Sequence, residues 1–270
     1  MGPMTDGTRE RRHAFGDDAE QYDAGRPGYP EQLVDDVLDF AGGTAAAPAL
    51  EVGAGTGKAT LAFARRGLSI TCVEPDERMA RVLRLRCAGL PQVTVEVADF
   101  ETWRPGSRRH GLLYCAQAWH WVDPAARWAR ARAALRPNGA VALFWNHWFL
   151  QDEHLARELT AAHERHGLDI PEHTLLDPRP RPAHHGPRAR QWREMEADGG
   201  FTDIDHRLYT THHPRTAAGI VGLVASNSGY RVIDKARREP LLDEMARLVG
   251  DRTVTVRVVT SLFLARTKDA

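Results

Sequence analysis

Three glycines at every second position, within LEVGAGTGKAT at 50–60, are the first residues whose spacing could serve chemistry. Gly53, Gly55 and Gly57 follow an apolar segment and precede a segment compatible with a helix. Residues without a Cβ let the backbone approach a ligand closely, and the first turn of a helix offers free N–H groups. The pattern predicts a turn between a strand and a helix that cradles a nucleotide-like ligand.

The spacing argues against a phosphate-binding P-loop, which requires G-x-x-x-x-G-K-[ST]. Lys58 does follow Gly57, but Val52 stands at the first glycine position and Ala59 at the position of the magnesium-binding hydroxyl. The dinucleotide fingerprint G-x-G-x-x-G/A is also broken, because Lys58 and Thr60 stand where its last small residue belongs. An NAD site is therefore the weaker alternative.

Strand-like and helix-like segments alternate in the first part of the chain, which is typical of a parallel, doubly wound sheet. The helix before the fifth strand is predicted to start at Pro124 behind an Asp123 cap. Two later strand-like segments could extend the same sheet. The predicted strands are 49–54, 69–75, 93–100, 112–118, 140–146, 201–213 and 253–267.

Acidic residues stand at the ends of the second and third strands: Glu74 in CVEPDERM, and Asp99 followed by Phe100. With E-x-G-x-G-x-G at 51–57, YCAQAWHWVDP and ALRPNGAVALFWN, they form an ordered set that resembles the class I S-adenosyl-L-methionine (SAM)-dependent methyltransferases. The upstream AEQYDAGRPGYP resembles the small-molecule, trans-aconitate-like branch, or methyltransferase type 11. The chain departs from that branch at His110, where an aspartate that orients the next loop is usual.

The resemblance implies an α/β fold with a Rossmann-like, doubly wound sheet of seven strands. The sheet would be mostly parallel, with an antiparallel last strand and added helical cap elements. We expect one elaborated domain in three parts: an N-terminal arm or lid at 1–30, a SAM-binding core at 31–150, and a region at 151–270 that holds the cap and the last two strands.

The resemblance also implies SAM as the cofactor, with Glu74 on the two ribose hydroxyls and Asp99 and Phe100 at the adenine. SAM carries no phosphate, so a neutral glycine turn without a cationic clamp suits it. The other implied cofactor-binding residues lie on the arm, on the glycine turn, just after Glu74 and after the fourth strand: Tyr22, Arg26, Gly53, Ala54, Gly55, Thr56, Gly57, Pro75, Met79, Ala116, Gln117 and Trp121.

The loops after the fourth and fifth strands should lie beside the methyl donor, because open α/β sheets bind ligands outside the carboxyl ends of their strands. Aromatic residues are dense in both loops and suit a sulfonium cation and a flat or apolar acceptor. We predict acceptor contacts at Trp119, Trp145, His147 and Trp148. His120 is the candidate general base, because an imidazole ionises near neutrality.

The composition limits the partners. The chain has 36 Lys and Arg and 36 Asp and Glu, and a net charge of zero draws it neither to nucleic acid nor to an anionic membrane. Cys72, Cys87 and Cys115 are too scattered for a disulfide framework or a zinc motif, and pairs such as His212 and His213 lack metal-ligand spacing. We expect a cytoplasmic monomer or homodimer without a membrane segment that methylates a small molecule without a metal.

Other functions stay open from the sequence. A protein with an intact glycine turn and Glu74 could bind SAM without transferring its methyl group, as a SAM-assisted cyclase or a regulatory binder would. An NAD-dependent oxidoreductase is the second alternative. If transfer occurs, the acceptor atom can be oxygen, nitrogen or carbon.

Overall fold

The computed structural model describes residues 28–43, 48–171, 174–177, 187 and 189–268. At its centre is a seven-stranded sheet with the order β3-β2-β1-β4-β5-β7-β6. The first five strands pair in parallel, and β7 runs antiparallel to both β5 and β6. This confirms the predicted fold class. The strands are β1 (Ala49–Val52), β2 (Ile70–Glu74), β3 (Val93–Val97), β4 (His110–Ala116), β5 (Leu135–Leu150), β6 (Phe201–Arg215) and β7 (Val254–Thr267).

Helices cover both faces of the sheet and are amphipathic towards it. The helices are α1 (Glu31–Ala41), α2 (Lys58–Ala64), α3 (Glu77–Arg86), α4 (Arg127–Ala134), α5 (Glu153–Arg165), α6 (Arg190–Asp198), α7 (Ala217–Ala225), α8 (Ser228–Arg231) and α9 (Lys235–Val249), with a 3₁₀ turn at Trp119–Trp121. On one face α1 and α2 pack on Ala142 and Phe144 of β5. On the other, α4 and α6 pack on Val141 and Leu143, as the two-residue alternation of a strand requires.

Strand β5 is longer than the predicted 140–146, and its extra length builds a third layer. Its last partner on β4 is Ala116, opposite Phe144, yet β5 continues to Leu150 because β7 supplies hydrogen bonds on its other side. Trp148 of this extension and Val256 of β7 pack against α5, α7 and α9. We call these three helices the cap.

Helix α4 begins at Arg127, so the predicted start at Pro124 is wrong. The Asp123 carboxylate accepts a hydrogen bond from Ala125 N at 2.9 Å, and the Asp123 carbonyl accepts from Ala126 N and Arg127 N at 3.0 and 2.9 Å. Asp123 therefore caps a turn that leads into the helix, and does not cap the helix itself. Within the described ranges, no helix is both long and apolar enough to cross a membrane.

The start of α2 lies very close to α3. Gly57 precedes α2 with a left-handed φ of +92°. A Cβ built on Gly57 would stand 2.5 Å from Cδ1 of Leu83, which is fully buried. Only a residue without a Cβ allows this approach, so Gly57 is required by packing as well as by backbone conformation.

Gly57→Ala tests this packing, with Gly67→Ala as its control. Gly67 is also left-handed, at +83°, but nothing lies within 4 Å of its Cβ position. Gly67→Ala should therefore lower the free energy of unfolding by about 1 kcal/mol, the cost of left-handed backbone alone. Gly57→Ala should lower it by roughly 2–4 kcal/mol, because overpacking against Leu83 is added. Urea unfolding measures both, and equal losses would contradict the packing argument.

Candidate active site

The glycine turn and the end of β2 are held together through Glu74. Its Oε2 accepts a hydrogen bond from Gly55 N at 2.8 Å, and its Oε1 accepts from Asp76 N at 3.0 Å. Gly53 N donates to Val73 O at 2.8 Å, which closes the same junction. Glu74 therefore fixes the glycine turn against the end of β2.

The exposed side of the turn is open. Gly55 has a φ of +56°, and the nearest atom to a Cβ built there is Met79 Sδ, at 3.9 Å. A ligand can therefore approach the backbone at Gly55 closely. Asp76 caps α3 by accepting a hydrogen bond from Arg78 N at 2.8 Å, which holds Pro75 and Met79 beside the turn.

The two predicted residues after β3, Asp99 and Phe100, lie at the surface and in the core respectively. Asp99 is exposed, and its carbonyl accepts hydrogen bonds from Thr102 N and Trp103 N at 3.0 and 2.9 Å. The Phe100 ring is buried, 6.4 Å from the Trp103 ring and 6.0 Å from the Trp119 ring. Only the backbone of Phe100 is therefore placed for a ligand.

The turn after β4 carries several predicted residues. Gln117 has a left-handed φ of +63°, unusual for a residue with a Cβ, and its N–H donates to Phe144 O at 2.9 Å. His120 is exposed, and its ring lies 4.7 Å from that of the half-buried Trp121. Trp119 is only 1% exposed. The predicted acceptor contact at Trp119 is not supported, because the Phe100 ring and the rest of the core enclose its indole.

Strand β5 sends its predicted residues to opposite faces. Trp145 lies on the α4 side, with its ring 6.2 Å from that of Phe263, and the half-buried His147 is on the same face. Trp148 lies on the other face and is buried among cap residues. The alternation of a strand thus brings Trp145 and His147 together and turns Trp148 into the cap core. Trp145 is 9% exposed and Trp148 is 7% exposed, so the predicted acceptor contacts at these two residues are not supported.

Comparison with known proteins adds independent evidence. Residues 49–139 match the family model described as a methyltransferase domain. An uncharacterized methyltransferase of Mycobacterium tuberculosis is 32% identical over 251 residues, which span 92% of this chain and 90% of that protein. The chain belongs to the class I SAM-dependent methyltransferases. The cofactor of this methyltransferase is SAM, and the glycine turn with Glu74 beside it fits that ligand.

Solved structures and a further relative agree with the assignment. A proposed type II methyltransferase of Anaeromyxobacter dehalogenans has a TM-score of 0.63 at 22% identity, covering 91% of this chain and 99% of that one, which shows the shared fold. The malonyl-[acyl-carrier protein] O-methyltransferase of Geobacter sulfurreducens is 34% identical over 143 residues, or 50% of this methyltransferase and 53% of that protein.

Some predicted site residues lie outside the described part of the methyltransferase: Tyr22, Arg26 and most of the predicted arm at 1–30. Histidines outside the predicted site lie on other elements of the fold. His163 is buried in the cap, and its Nε2 lies 2.6 Å from the Tyr230 hydroxyl. His212 and His213 lie on β6.

Asn146, which the sequence analysis missed, joins the segment before α1 to the end of β5. Its Nδ2 donates to Gly28 O at 3.3 Å, and its Oδ1 accepts from the Thr260 hydroxyl at 2.6 Å. The side chain is buried between these partners. Asn146 ends the segment ALRPNGAVALFWN, but the segment does not reveal this role, because the partners are distant in the chain.

His110, at the departure from the family pattern, lies at the amino end of β4, away from the ligand end. It is buried, with Nδ1 at 3.2 Å from Ala134 O and its ring 6.1 Å from that of Trp103. Burial lowers the pKa of His110, so the ring is neutral at pH 7. It ties the start of β4 to the end of α4.

Glu51, the acidic residue of the glycine motif, is buried beneath the turn. Its Oε2 accepts hydrogen bonds from the Thr60 hydroxyl at 2.5 Å and the Tyr114 hydroxyl at 2.9 Å, and Cys72 Sγ lies 3.6 Å away. Burial raises its pKa to about 7, although these hydrogen bonds oppose the shift. Glu51 thus links β1 to α2 and β4 and titrates near neutrality.

The stability of the methyltransferase should depend on pH through Glu51. Its folded pKa of about 7 lies above the ordinary 4.5, so the folded protein holds a proton that the unfolded chain loses in this window. The contribution of Glu51 to wild-type stability therefore falls as the pH rises from 4.5 to 7. The substituted side chain of the Glu51→Gln variant does not titrate. The free energy of unfolding of this variant, relative to that of the wild type, should therefore rise by about 3 kcal/mol across the window.

Urea unfolding at stepped pH measures this difference, with Glu77→Gln as the control because Glu77 is exposed on α3. The Glu77→Gln difference should stay flat. A flat difference for Glu51→Gln as well would show that Glu51 keeps an ordinary pKa in the fold.

Proposed function

We propose that this enzyme transfers the methyl group of SAM to a small-molecule acceptor of the trans-aconitate-like branch, without a metal and mainly by positioning. The observation that carries the proposal is the junction of β4 and β5. The hydrogen bond from Gln117 N to Phe144 O ties the start of the turn that carries His120 to β5, one residue before Trp145. The cap encloses the other face of the same extension. Aromatic side chains beside a capped sheet end favour a small acceptor over a macromolecule.

The residues around the glycine turn would hold the cofactor. The Glu74 carboxylate would accept hydrogen bonds from the two ribose hydroxyls, because each carboxylate oxygen can accept more than one hydrogen bond. Asp99 is exposed for the adenine, with the Phe100 backbone next to it. Ala54, Thr56, Pro75 and Met79 would shape the floor, while Ala116, Gln117 and Trp121 would close the side towards β4. SAM supplies a methyl group on a sulfonium, which is already activated for displacement.

The acceptor would lie between the His120 turn and the β5 extension. The half-buried His147 would orient it, while Trp119, Trp145 and Trp148, which are 1%, 9% and 7% exposed, would act only through packing. Holding the acceptor in line with the methyl group would lower the activation free energy by roughly 7–11 kcal/mol. His120 is exposed on the same side, where it could remove a proton from an O–H or N–H acceptor.

Glu74→Gln tests the ribose assignment. A hydrogen bond to a charged group contributes about 1.5–3 kcal/mol, so loss of the charge should weaken SAM binding by about tenfold or more. Glu77→Gln, three residues further on the surface of α3, should bind SAM as the wild type does. Calorimetry with SAM measures both variants. Wild-type affinity in a folded Glu74→Gln protein would refute the assignment.

His120→Gln and His120→Ala test the general base, after a screen of small metabolites with methyl-labelled SAM has found an acceptor. Loss of a base should lower kcat by about 10²–10⁴ and remove an ionisation near neutrality from the pH profile. Loss of a positioning contact should mainly raise KM.

His154→Gln is the control for His120, because His154 is exposed on α5, in the cap. It should leave kcat and KM unchanged. A kcat for His120→Gln within a few-fold of wild type would refute the base and leave positioning as its role. SAM binding with no labelled product from any metabolite class would favour a non-transferring SAM protein.

A further inference from the structure

Arg127, the first residue of α4, is an arginine buried in the core. Its side chain is only 2% exposed. Burial of a charge is costly unless the charge is paired and hydrogen-bonded, so a buried arginine needs partners that use its donors. A leucine would pack α4 against the sheet without that cost. The contacts of the guanidinium therefore indicate what the charge is for.

The guanidinium of Arg127 reaches the turn that carries His120. Nη1 lies 3.2 Å from Trp119 O and 3.5 Å from Val122 O, the carbonyls at the two ends of this turn. Within the turn, Trp121 N donates to Ala118 O at 2.9 Å and Val122 N donates to Trp119 O at 3.3 Å. At its end, Asp123 N donates to Glu101 Oε1 at 2.9 Å.

Glu194 of α6 orients the arginine. Its Oε2 accepts a hydrogen bond from Arg127 Nη2 and another from Trp128 Nε1, the latter at 3.1 Å. Its Oε1 accepts from Arg190 Nε at 2.7 Å. The chain of contacts runs from α6 through Glu194 and Arg127 to the carbonyls of the turn.

A second ion pair between the same two helices lacks the contact with the turn. Arg132 of α4 is paired with Asp198 of α6. In the part of the chain that the structure describes, Arg132 donates to no carbonyl of residues 117–123. Both ion pairs join α6 to α4, but only the pair of Arg127 also contacts the turn. Variants of Arg127 and Arg132 can therefore distinguish support of the turn from packing of the two helices.

We propose that Arg127 is a positioning residue, which with Glu194 holds the Trp119–Trp121 turn so that His120 and Trp121 face the cofactor and acceptor. The inference rests on the proposed function, because that function gives the turn its role. The planar fork of an arginine serves the turn carbonyls and the carboxylate at once, and a lysine cannot span both.

Amide hydrogen exchange of the free protein tests the support of the turn. Arg127→Gln should speed exchange at Trp121 N and Val122 N by about tenfold or more, because the carbonyls of the turn lose their anchor. Arg127→Lys should give a smaller increase. Arg132→Gln should leave these two amides within about twofold of wild type. If Arg127→Gln fails to fold, Glu194→Gln replaces it, because this variant leaves Arg127 in place without its orienting partner.

Calorimetry with S-adenosylhomocysteine, at a temperature where every variant is folded, provides the functional measurement. Arg127→Gln should bind several-fold more weakly than Arg132→Gln, even where the two have equal melting temperatures. A purely structural role would make affinity follow stability in both variants, and this result would overturn the proposal. Unchanged exchange at the turn in Arg127→Gln would also overturn it.

The same measurements keep this inference separate from the proposed function. A wild-type protein that binds no S-adenosylhomocysteine, with a turn that loosens in Arg127→Gln, would refute the proposed site and not the support by Arg127. Tight binding by the wild type, with no difference between the two arginine variants, would refute the support by Arg127 and leave the proposed site standing.

Discussion

The antiparallel pairing of β5 with β7 is the interaction on which the ligand end of this methyltransferase depends. The pairing continues from Ala140 with Arg266 to Leu150 with Val256, well past the last β4 partner at Phe144. Without β7, the backbone groups of this extension would lack partners on both sides. Side chains of this extension alternate between its two faces. The cap buries the face of Trp148, and the opposite face carries the buried Trp145 and the half-buried His147.

Buried polar groups are concentrated at the junctions that shape the site. Glu51 joins β1 to α2 and β4, Glu74 joins β2 to the glycine turn, and Arg127 joins α4 to the His120 turn. Each group would be costly without its partners, and each is hydrogen-bonded here. Such groups contribute little to net stability compared with an apolar core, but they specify one geometry. A reaction that depends on alignment within fractions of an ångström benefits from that specificity.

Gln117 shows where the fold accepts backbone strain. A left-handed conformation costs a residue with a Cβ about 1–2 kcal/mol, and Gln117 adopts it where β4 gives way to the 3₁₀ turn. The hydrogen bond to Phe144 O holds it there. Strained residues of this kind persist where the surrounding structure over-determines them, often at functional sites. The strain turns the chain sharply enough to place the His120 turn above the sheet and not along it.

Sequence alone determined the features that depend on local spacing. The glycine turn, the acidic Glu74 at a strand end and the alternation of strands and helices are all patterns within a few residues, and they sufficed for the fold class, the family and the cofactor. Only the tertiary structure decided which aromatic residues reach the cleft. Trp119, Trp145 and Trp148 have the same residue type as Trp121, but the 3₁₀ turn and the packing on both faces of β5 bury them, whereas Trp121 is half-buried. The length of β5 depended on a partner strand more than a hundred residues away. The roles of Asn146, Glu51 and Arg127 could not be predicted for the same reason: they come from hydrogen bonds between elements that are distant in the chain, and no local pattern encodes such a contact.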